Sequence, residues 1–277
     1  MHRRVYGRAM IKITSLFACL VLLAAPAFAQ SSQHLEMLDA ALLPGWQTDT
    51  GIHMAGLQLS LAPGWKTYWR SPGEAGIPPL FNWSGSENLK SVQVHWPTPT
   101  VFQTNSIQSI GYHDQVTLPL EIRALDSAKP VRLRATIDLG ICKDICLPAT
   151  LNLAVELNGP GTPDTTIETA LRAEPKEPTK AKLTKISCAV EPINDGMKIT
   201  ATLQLAVPNS PETVAFETGQ PDIWVAEAKT IRQGGTLVSI TDMVAPTGAP
   251  FALDRSKIKL TILTGKTAVE INGCPAP

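Results

Sequence analysis

Apolar and polar residues alternate with a period of two in several short segments of the first half of the chain. Alternate side chains of a β-strand point to opposite faces, so this pattern is typical of strands with one buried face. Proline and glycine separate the segments, and helical periodicity is nearly absent. The pattern therefore predicts an antiparallel β-sandwich. The predicted strands are residues 56–61, 92–96, 116–122, 131–139 and 151–157.

Pro119 lies inside the predicted strand 116–122. A proline has no backbone N–H to donate to a neighbouring strand, and it is therefore largely confined to edge strands and bulges. We expect this strand to lie at an edge of its sheet or to contain a bulge.

A second strand-rich region follows a proline-rich connection. Residues 159–163 and 174–178 are rich in proline and in glycine or charged residues, a composition typical of a linker. Residues 167–173 between them are compatible with a brief helix. The region beyond has about 95 residues, the usual size of a single sandwich. Its predicted strands are residues 198–207, 213–217, 223–228, 237–241 and 257–263.

The first 29 residues have the features of a cleaved signal peptide. A basic start precedes the apolar run 16–25, and Ala27-Phe28-Ala29 provides a small-residue cleavage site. Either Met1 or Met10 is compatible with the start of such a peptide. The predicted organisation is thus all-β: a signal peptide (1–29), a first sandwich domain (30–160), a linker (161–180) and a second sandwich domain (181–277).

Charge and motifs exclude several classes of function. Cleavage after residue 29 removes four of the 24 basic residues and none of the 24 acidic ones, which leaves a net charge of −4. That charge offers no basic surface for a nucleic acid. No second apolar run is long enough to span a membrane, so the exported chain is expected to be soluble. No Ser-His-Asp order, phosphate loop or zinc motif stands out, and we expect neither a metal nor a cofactor.

Four cysteines remain after cleavage, and an even number in an exported protein indicates disulfides. Cys188 and Cys274 bracket the second predicted domain. A bond that closes a loop of about 87 residues restricts the unfolded chain by about 4.6 kcal/mol in the chain-entropy model. We expect this pair to form a structural disulfide.

Cys142 and Cys146 lie between two predicted strands. In one straight strand their Cα atoms would be about 13 Å apart, too far for a disulfide. A hairpin with residues 143–145 at its tip would instead place them opposite each other. Such a bond closes a loop of about five residues, worth only about 2 kcal/mol, and a bond at a tip is open to thiolate attack. The pattern favours a redox-active dithiol, with a minor structural bridge and a copper(I) site as alternatives.

The first half also resembles the amino-terminal periplasmic domain of the DsbD family of disulfide reductases, and more closely that of ScsB-type proteins. The resemblance spans residues 35–157 in order. The second half resembles, more weakly, the second sandwich of ScsB-like proteins through residues 254–256 and 272–274. The matching segments of the first half are 63–70 (PGWKTYWR), 72–73 (PG), 76–79 (GIPP), Trp83, 96–97 (WP), 110–112 (IGY), 116–120 (VTLPL) and the Cys142/Cys146 hairpin with Pro148.

This resemblance implies an immunoglobulin-like sandwich and a periplasmic thiol–disulfide relay. The Cys142/Cys146 dithiol would carry reducing equivalents from a membrane-embedded donor of the DsbD, ScsB or CcdA type to thioredoxin-like partners. The family analogy makes Cys146 the cysteine that joins the partner. The resemblance also implies a part in the processes in which the family acts, cytochrome c biogenesis and copper tolerance.

The family also covers its active disulfide with a cap loop that carries aromatic residues. Here that loop corresponds to residues 100–112, and the shielding residues implied are Phe102 and Tyr112. The acidic residues that the family places beside the cap have no counterpart in residues 103–107.

Overall fold

The computed structural model describes residues 32–104, 107–206 and 210–277, and the predicted signal peptide lies outside these ranges. Strands dominate both halves of the described chain. We call the part built from the first eleven strands the first sandwich. Its strands are β1 (Ser32–Leu35), β2 (Leu38–Gln47), β3 (His53–Leu61), β4 (Lys66–Tyr68), β5 (Leu80–Asn82), β6 (Leu89–Val94), β7 (Thr100–Thr104), β8 (Ile107–His113), β9 (Gln115–Ala124), β10 (Val131–Cys142) and β11 (Cys146–Leu157).

Two antiparallel sheets form the first sandwich. One has the strand order β1-β2-β3-β9-β6, and the other has the order β11-β10-β4-β8-β7 with β5 added on β10. Their inner faces share an apolar core, because every second residue of the long strands is apolar and buried. This arrangement confirms the predicted sandwich. Side chains of this core that are almost fully buried include Leu42, Leu57, Leu118, Leu133, Ile137 and Leu151.

The remaining strands form what we call the second sandwich. Its sheets have the orders β12-β13-β17-β15, with β16 added on β17, and β14-β18-β19. A separate core fills the space between them, with Ile199, Leu237 and Leu260 fully buried. The strands are β12 (Lys185–Ile193), β13 (Gly196–Gln204), β14 (Glu212–Glu217), β15 (Trp224–Val225), β16 (Lys229–Gln233), β17 (Thr236–Val244), β18 (Lys259–Thr264) and β19 (Thr267–Asn272).

The connection between the sandwiches carries helix α1 (Thr165–Arg172), close to the predicted helix. The Asp164 side chain caps it by accepting hydrogen bonds from the backbone N–H groups of Thr166 and Ile167. Ile167 is fully buried against the first sandwich, where Gly56 leaves room for it: a Cβ on Gly56 would lie 2.9 Å from Ile167 Cγ1. No helix in the described ranges has the length and apolar character needed to cross a membrane.

Both alternatives predicted for Pro119, an edge strand or a bulge, are wrong, because the register of β9 with β3 is regular through Pro119 and the register shift against β6 lies between Leu89 and Ser91. Its strand, β9, lies between β3 and β6 inside the sheet. The Pro119 carbonyl accepts a hydrogen bond from His95 N at 2.8 Å, one residue beyond the last β6 pair, Val94 with Leu120. The N and C=O of one strand residue point to the same side. The missing N–H therefore faces the end of β6, and the pairing with β3 loses nothing.

Candidate active site

A regular hairpin holds the two cysteines. Strands β10 and β11 pair in register from Val131 with Leu157 up to Cys142 with Cys146. The tip closes with a hydrogen bond from Lys143 N to the Ile145 carbonyl at 3.1 Å. The two cysteines form a disulfide, with their Cα atoms 4.2 Å apart. The predicted hairpin geometry is confirmed.

The disulfide lies on the outer face of its sheet. In β10, Ile137, Leu139 and Ile141 are buried in the core, and the residues between them point outward because side chains alternate along a strand. Cys142 belongs to this outward set, yet it is only 1% exposed. Its partner Cys146 is exposed. The two sulfur-bearing residues therefore differ sharply in their access to other proteins.

Tyr68 covers the buried cysteine. Strand β4 pairs with β10, which places Lys66 opposite Cys142 and brings Tyr68 alongside. The Tyr68 hydroxyl donates a hydrogen bond to Cys142 Sγ at 2.8 Å and lies 3.2 Å from Cys146 Sγ. Burial raises the pKa of Tyr68, so the phenol keeps its proton at neutral pH and remains a donor.

Two glycines make room for the Tyr68 ring. A Cβ on Gly140 would lie 3.1 Å from the ring and 2.8 Å from Ile77 Cβ. A Cβ on Gly76 would lie 2.9 Å from the other edge of the ring and 2.2 Å from Pro72 Cβ. The ring therefore fits between two backbone segments that both lack side chains at the point of contact.

A lysine and an aromatic side chain lie beside the disulfide on the same face. Cys142, Lys66 and His113 are directly opposite one another on successive strands, so their side chains share a face. Lys66 Nζ lies 5.0 Å from the centre of the Phe102 ring and donates to Ser109 Oγ at 3.2 Å. Burial lowers the pKa of Lys66. Phe102 thus lies on the outer face against the Lys66 side chain, and its cap role stays a prediction.

Tyr112 occupies the opposite face of the sheet. It pairs with Thr67, which in turn pairs with the core residue Ile141. Tyr112 is buried in the core, and its hydroxyl donates to the Pro97 carbonyl at 2.8 Å. That burial raises its pKa well above the usual value. In this arrangement Tyr68, rather than Tyr112, contacts the sulfur atoms.

Several exposed apolar side chains lie on or beside the hairpin that carries the cysteines. Ile145 at the hairpin tip is 64% exposed, and Leu80, which pairs with Asp138 of β10, is 66% exposed. Ile77 adjoins Gly140 and is also exposed. Large apolar residues on a free surface are typical of a site for a protein partner.

Cys188 and Cys274 form a disulfide of a different kind. Both residues are almost fully buried in the core of the second sandwich, with their Cα atoms 5.6 Å apart. Backbone bonds hold both ends: Cys188 N donates to the Pro275 carbonyl at 2.7 Å, and Cys274 N donates to that of Arg255 at 2.9 Å. This environment excludes other proteins from the sulfur atoms. Its structural role remains our prediction.

Comparison with known proteins identifies the first half. Residues 39–157 match the family model described as the amino-terminal part of thiol:disulfide interchange protein DsbD. Over these residues the chain has a domain of the DsbD amino-terminal type. The structure is also similar to the crystal structure of the N-terminal periplasmic domain of ScsB from Proteus mirabilis, with a TM-score of 0.69 and 22% sequence identity over 88% of this chain and 97% of that one. A search of curated proteins gave no match.

In the part of the chain that the structure describes, the disulfide of this domain has no cluster of metal-ligating side chains beside it. Within the described ranges, no three or more His, Cys, Asp or Glu side chains are arranged to hold a metal ion. In the sequence Tyr68 stands out only as part of the matching segment 63–70, which does not indicate its contact with both sulfur atoms. The spacing of Lys66 and Tyr68 does place them on one face, but only the pairing of β4 with β10 shows which face.

Proposed function

We propose that this protein is a periplasmic thiol–disulfide interchange protein that relays reducing equivalents through Cys142 and Cys146. The DsbD/ScsB family membership supports an interchange role in general. The observation that carries the proposal is the asymmetry of the pair: Cys146 is exposed, whereas Cys142 is buried under the Tyr68 hydroxyl at 2.8 Å. This arrangement suits one attacking and one resolving cysteine.

The exchange proceeds in two displacements. The Cys146 thiolate attacks one sulfur of the partner disulfide, a mixed disulfide forms, and the other partner sulfur leaves as a thiolate. The Cys142 thiolate then attacks Cys146 Sγ and releases the second partner sulfur. In total the dithiol gives up two electrons and two protons, and the partner becomes a dithiol. A membrane-embedded donor of the DsbD, ScsB or CcdA type restores the reduced pair by the reverse exchange.

Two neighbours favour the thiolate form of the resolving cysteine. The Tyr68 hydroxyl donates to Cys142 Sγ, and a donor stabilises a charged sulfur more than a neutral one. The Lys66 ammonium is carried by the residue opposite Cys142, and a nearby cation lowers a thiol pKa.

The acceptor proposed is a thioredoxin-like periplasmic protein. The side chains of Ile77, Leu80 and Ile145 are exposed, and these residues lie beside Gly140, opposite Asp138 and next to Cys146, respectively, on or along the hairpin. Apolar side chains at these positions suit the apolar rim of a partner whose own reactive sulfur must come within bonding distance of Cys146.

Trapping of mixed disulfides tests this proposal. Cys142→Ala leaves Cys146 without its resolving partner, so we expect it to accumulate covalent adducts in the native host, identified by mass spectrometry after non-reducing purification. Cys146→Ala and the double Cys142→Ala/Cys146→Ala variant serve as matched controls, and we expect few adducts from either. Absence of adducts from both single variants would contradict the relay. If the reduced protein instead bound one copper(I) that Cys142→Ala abolished, with no exchange, a copper carrier would be indicated.

A further inference from the structure

Two glutamates of the second sandwich bind Arg70 of the first sandwich, which lies two residues after Tyr68 in the sequence. The Arg70 guanidinium binds both carboxylate oxygens of Glu217, at 2.9 and 3.0 Å, and a carboxylate oxygen of Glu270 at 2.5 Å. Glu217 ends β14 and Glu270 lies in β19, both in the second sandwich. A bidentate arginine–carboxylate pair fixes geometry as well as charge. Arg70 is therefore held in one orientation by two strands of the other sandwich.

Two neighbouring residues, Tyr68 and Trp69, connect Arg70 to the disulfide. Tyr68 touches the sulfur atoms, Trp69 is fully buried in the first core, and Arg70 reaches the second sandwich. Trp69 N also donates to the Ile110 carbonyl at 3.0 Å, and the Arg70 guanidinium lies 4.4 Å from the centre of the Trp69 ring. Three consecutive side chains thus link the second sandwich to the reactive sulfurs without a flexible intermediate.

A second contact holds residues 71–78, which we call the cover segment. Its Glu74 carboxylate accepts a hydrogen bond from Glu227 N of the second sandwich at 3.0 Å. The carbonyl oxygen of the next residue, Ala75, lies 3.3 Å from the Tyr68 hydroxyl, whose single proton is donated to Cys142 Sγ at the shorter distance of 2.8 Å. The cover segment therefore lies on the Tyr68 ring with its far side tethered to the second sandwich.

Between these two contacts the sandwiches are separated by a cleft of about 730 Å³. The cleft is lined on one side by the cover segment and on the other by residues 214–228. The cover segment is held to the first sandwich by a hydrogen bond from Ile110 N to the Pro72 carbonyl at 2.9 Å and to the second sandwich by the Glu74 contact.

We propose that the second sandwich sets the reactivity of the Cys142/Cys146 pair by positioning Tyr68, acting through Arg70 and Glu74. The inference rests on the proposed function and assigns a role to the half of the chain that carries no reactive cysteine. Arg70 and Glu74 are positioning residues, since neither touches a sulfur atom. Loss of their contacts loosens the cover segment against the Tyr68 ring, so the hydroxyl is no longer fixed on Cys142 Sγ, and the reduced, thiolate-bearing state is disfavoured.

The test is a double-mutant cycle on the full chain. Glu217→Gln/Glu270→Gln removes the charges that hold Arg70, and Glu74→Ala removes the second tether from an exposed loop. For each variant, the equilibrium constant for the disulfide with glutathione is measured, together with the pH dependence of alkylation of the reduced protein. We expect each variant to shift the equilibrium toward the disulfide by roughly three- to tenfold, as for a weakened hydrogen bond to a charged group.

The decisive arm repeats both variants in a Tyr68→Phe background. If they act through Tyr68, their effects there fall to less than about 1.5-fold, because residues in one network are not additive. Glu212→Gln is the matched control: it breaks the bidentate pair of Glu212 with Arg232, which stays within the second sandwich, and it is expected to leave the equilibrium unchanged.

The outcomes separate this inference from the proposed function. An unchanged equilibrium in both variants, or an equal shift with and without Tyr68, overturns the positioning role while wild-type exchange still stands. If the wild-type protein neither equilibrates with glutathione nor forms adducts, the proposed function itself is wrong. Circular dichroism confirms folding, and Glu74→Ala keeps the test valid if the double variant does not fold.

Discussion

Tyr68 is the residue on which the chemistry of the site depends most. Its hydroxyl donates to Cys142 Sγ at 2.8 Å and lies 3.2 Å from Cys146 Sγ. A phenol that stays protonated stabilises a thiolate but does little for a disulfide, so it favours the reduced pair.

Replacing Tyr68 by Phe therefore gives a direct prediction. We expect the midpoint of thiol alkylation against pH to rise by about one unit, which corresponds to about 1.4 kcal/mol, and the disulfide to become harder to reduce. The measurement is iodoacetamide labelling of the reduced protein between pH 5 and 10. Tyr112→Phe is the matched control, since its hydroxyl binds the Pro97 carbonyl on the core side. An identical profile for Tyr68→Phe and the wild type would contradict the role.

Gly140 leads to a second prediction at the same scale. An alanine there would place its Cβ 2.8 Å from Ile77 and 3.1 Å from the Tyr68 ring, so the ring must move off the sulfur atoms. We expect Gly140→Ala to lower the unfolding free energy by about 1–3 kcal/mol and to raise the alkylation midpoint as Tyr68→Phe does. Urea unfolding and the same labelling measure both. Gly235→Ala, where a Cβ meets nothing within 4 Å, is the control, and a Gly140→Ala protein with wild-type labelling would refute the steric argument.

Local sequence predicts some of these residues and hides others. The spacing of Cys142 and Cys146 required a turn between them, since a straight strand cannot bring their Cα atoms within bonding distance. Tyr68 is more than 70 residues away in the chain, and no local pattern indicates which strand becomes the neighbour of β10. The buried cysteine and its donor were therefore beyond prediction from spacing alone.

Among the secondary-structure elements, the β10–β11 hairpin was the most predictable. Both strands alternate cleanly, and a tip of three residues leaves few ways to pair them. Strand β12, which carries Cys188, was not predicted. Its apolar residues alternate poorly, and Pro192 interrupts it. The central position of Pro119 was also missed, because it depends on where β6 ends and not on the sequence around the proline.

The two disulfides are expected to contribute very differently to the stability of these elements. Removing the buried pair with Cys188→Ala/Cys274→Ala should lower the unfolding free energy by about 4–5 kcal/mol, since it frees a loop of about 87 residues. Removing the hairpin pair with Cys142→Ala/Cys146→Ala should cost about 2 kcal/mol or less. Hydrogen exchange of the second-sandwich amides in urea measures the first loss locally. A larger loss from the hairpin pair would contradict the division into structural and reactive disulfides.

At the scale of the whole molecule, the connection between the sandwiches is anchored and not free. Gln47 N donates to the Pro160 carbonyl, and Thr98 N donates to that of Ala173, each at 2.8 Å. Further along, Lys176 N donates to the Ala268 carbonyl of β19 at 2.8 Å. The composition of this segment predicted a linker, and its boundaries stay a prediction. What composition does not show is that such a segment docks along both sandwiches.

An ion pair at this connection makes docking dependent on pH. His95 Nδ1 lies 2.9 Å from Glu174, just beyond α1, and its Nε2 lies 3.6 Å from Glu121 of β9. The hydrogen bond to Glu174 is the main cause that raises the pKa of His95 above its usual 6.5, against the opposing effect of burial. The protonated ring is therefore stabilised in the folded state, and its contribution is fully present below pH 6.5 and is lost as the pH rises through the raised pKa.

His95→Gln removes this titration and keeps a hydrogen-bonding side chain. We expect the wild type to protect the amides of α1 by about 1–2 kcal/mol more than the variant at pH 5.5, as for a charge-assisted hydrogen bond. That difference should disappear by about pH 8.5, when the imidazole is neutral. Hydrogen exchange across this range measures it, with His113→Gln as control because His113 pairs only with its neighbour Asp114 among the charged groups near it. His53, whose pKa burial lowers, titrates in both proteins and cancels from the difference. Only the protonated ring loses its contribution as the pH rises. A difference that instead grew with pH would show that neutral His95 stabilises the connection, and the prediction would be wrong.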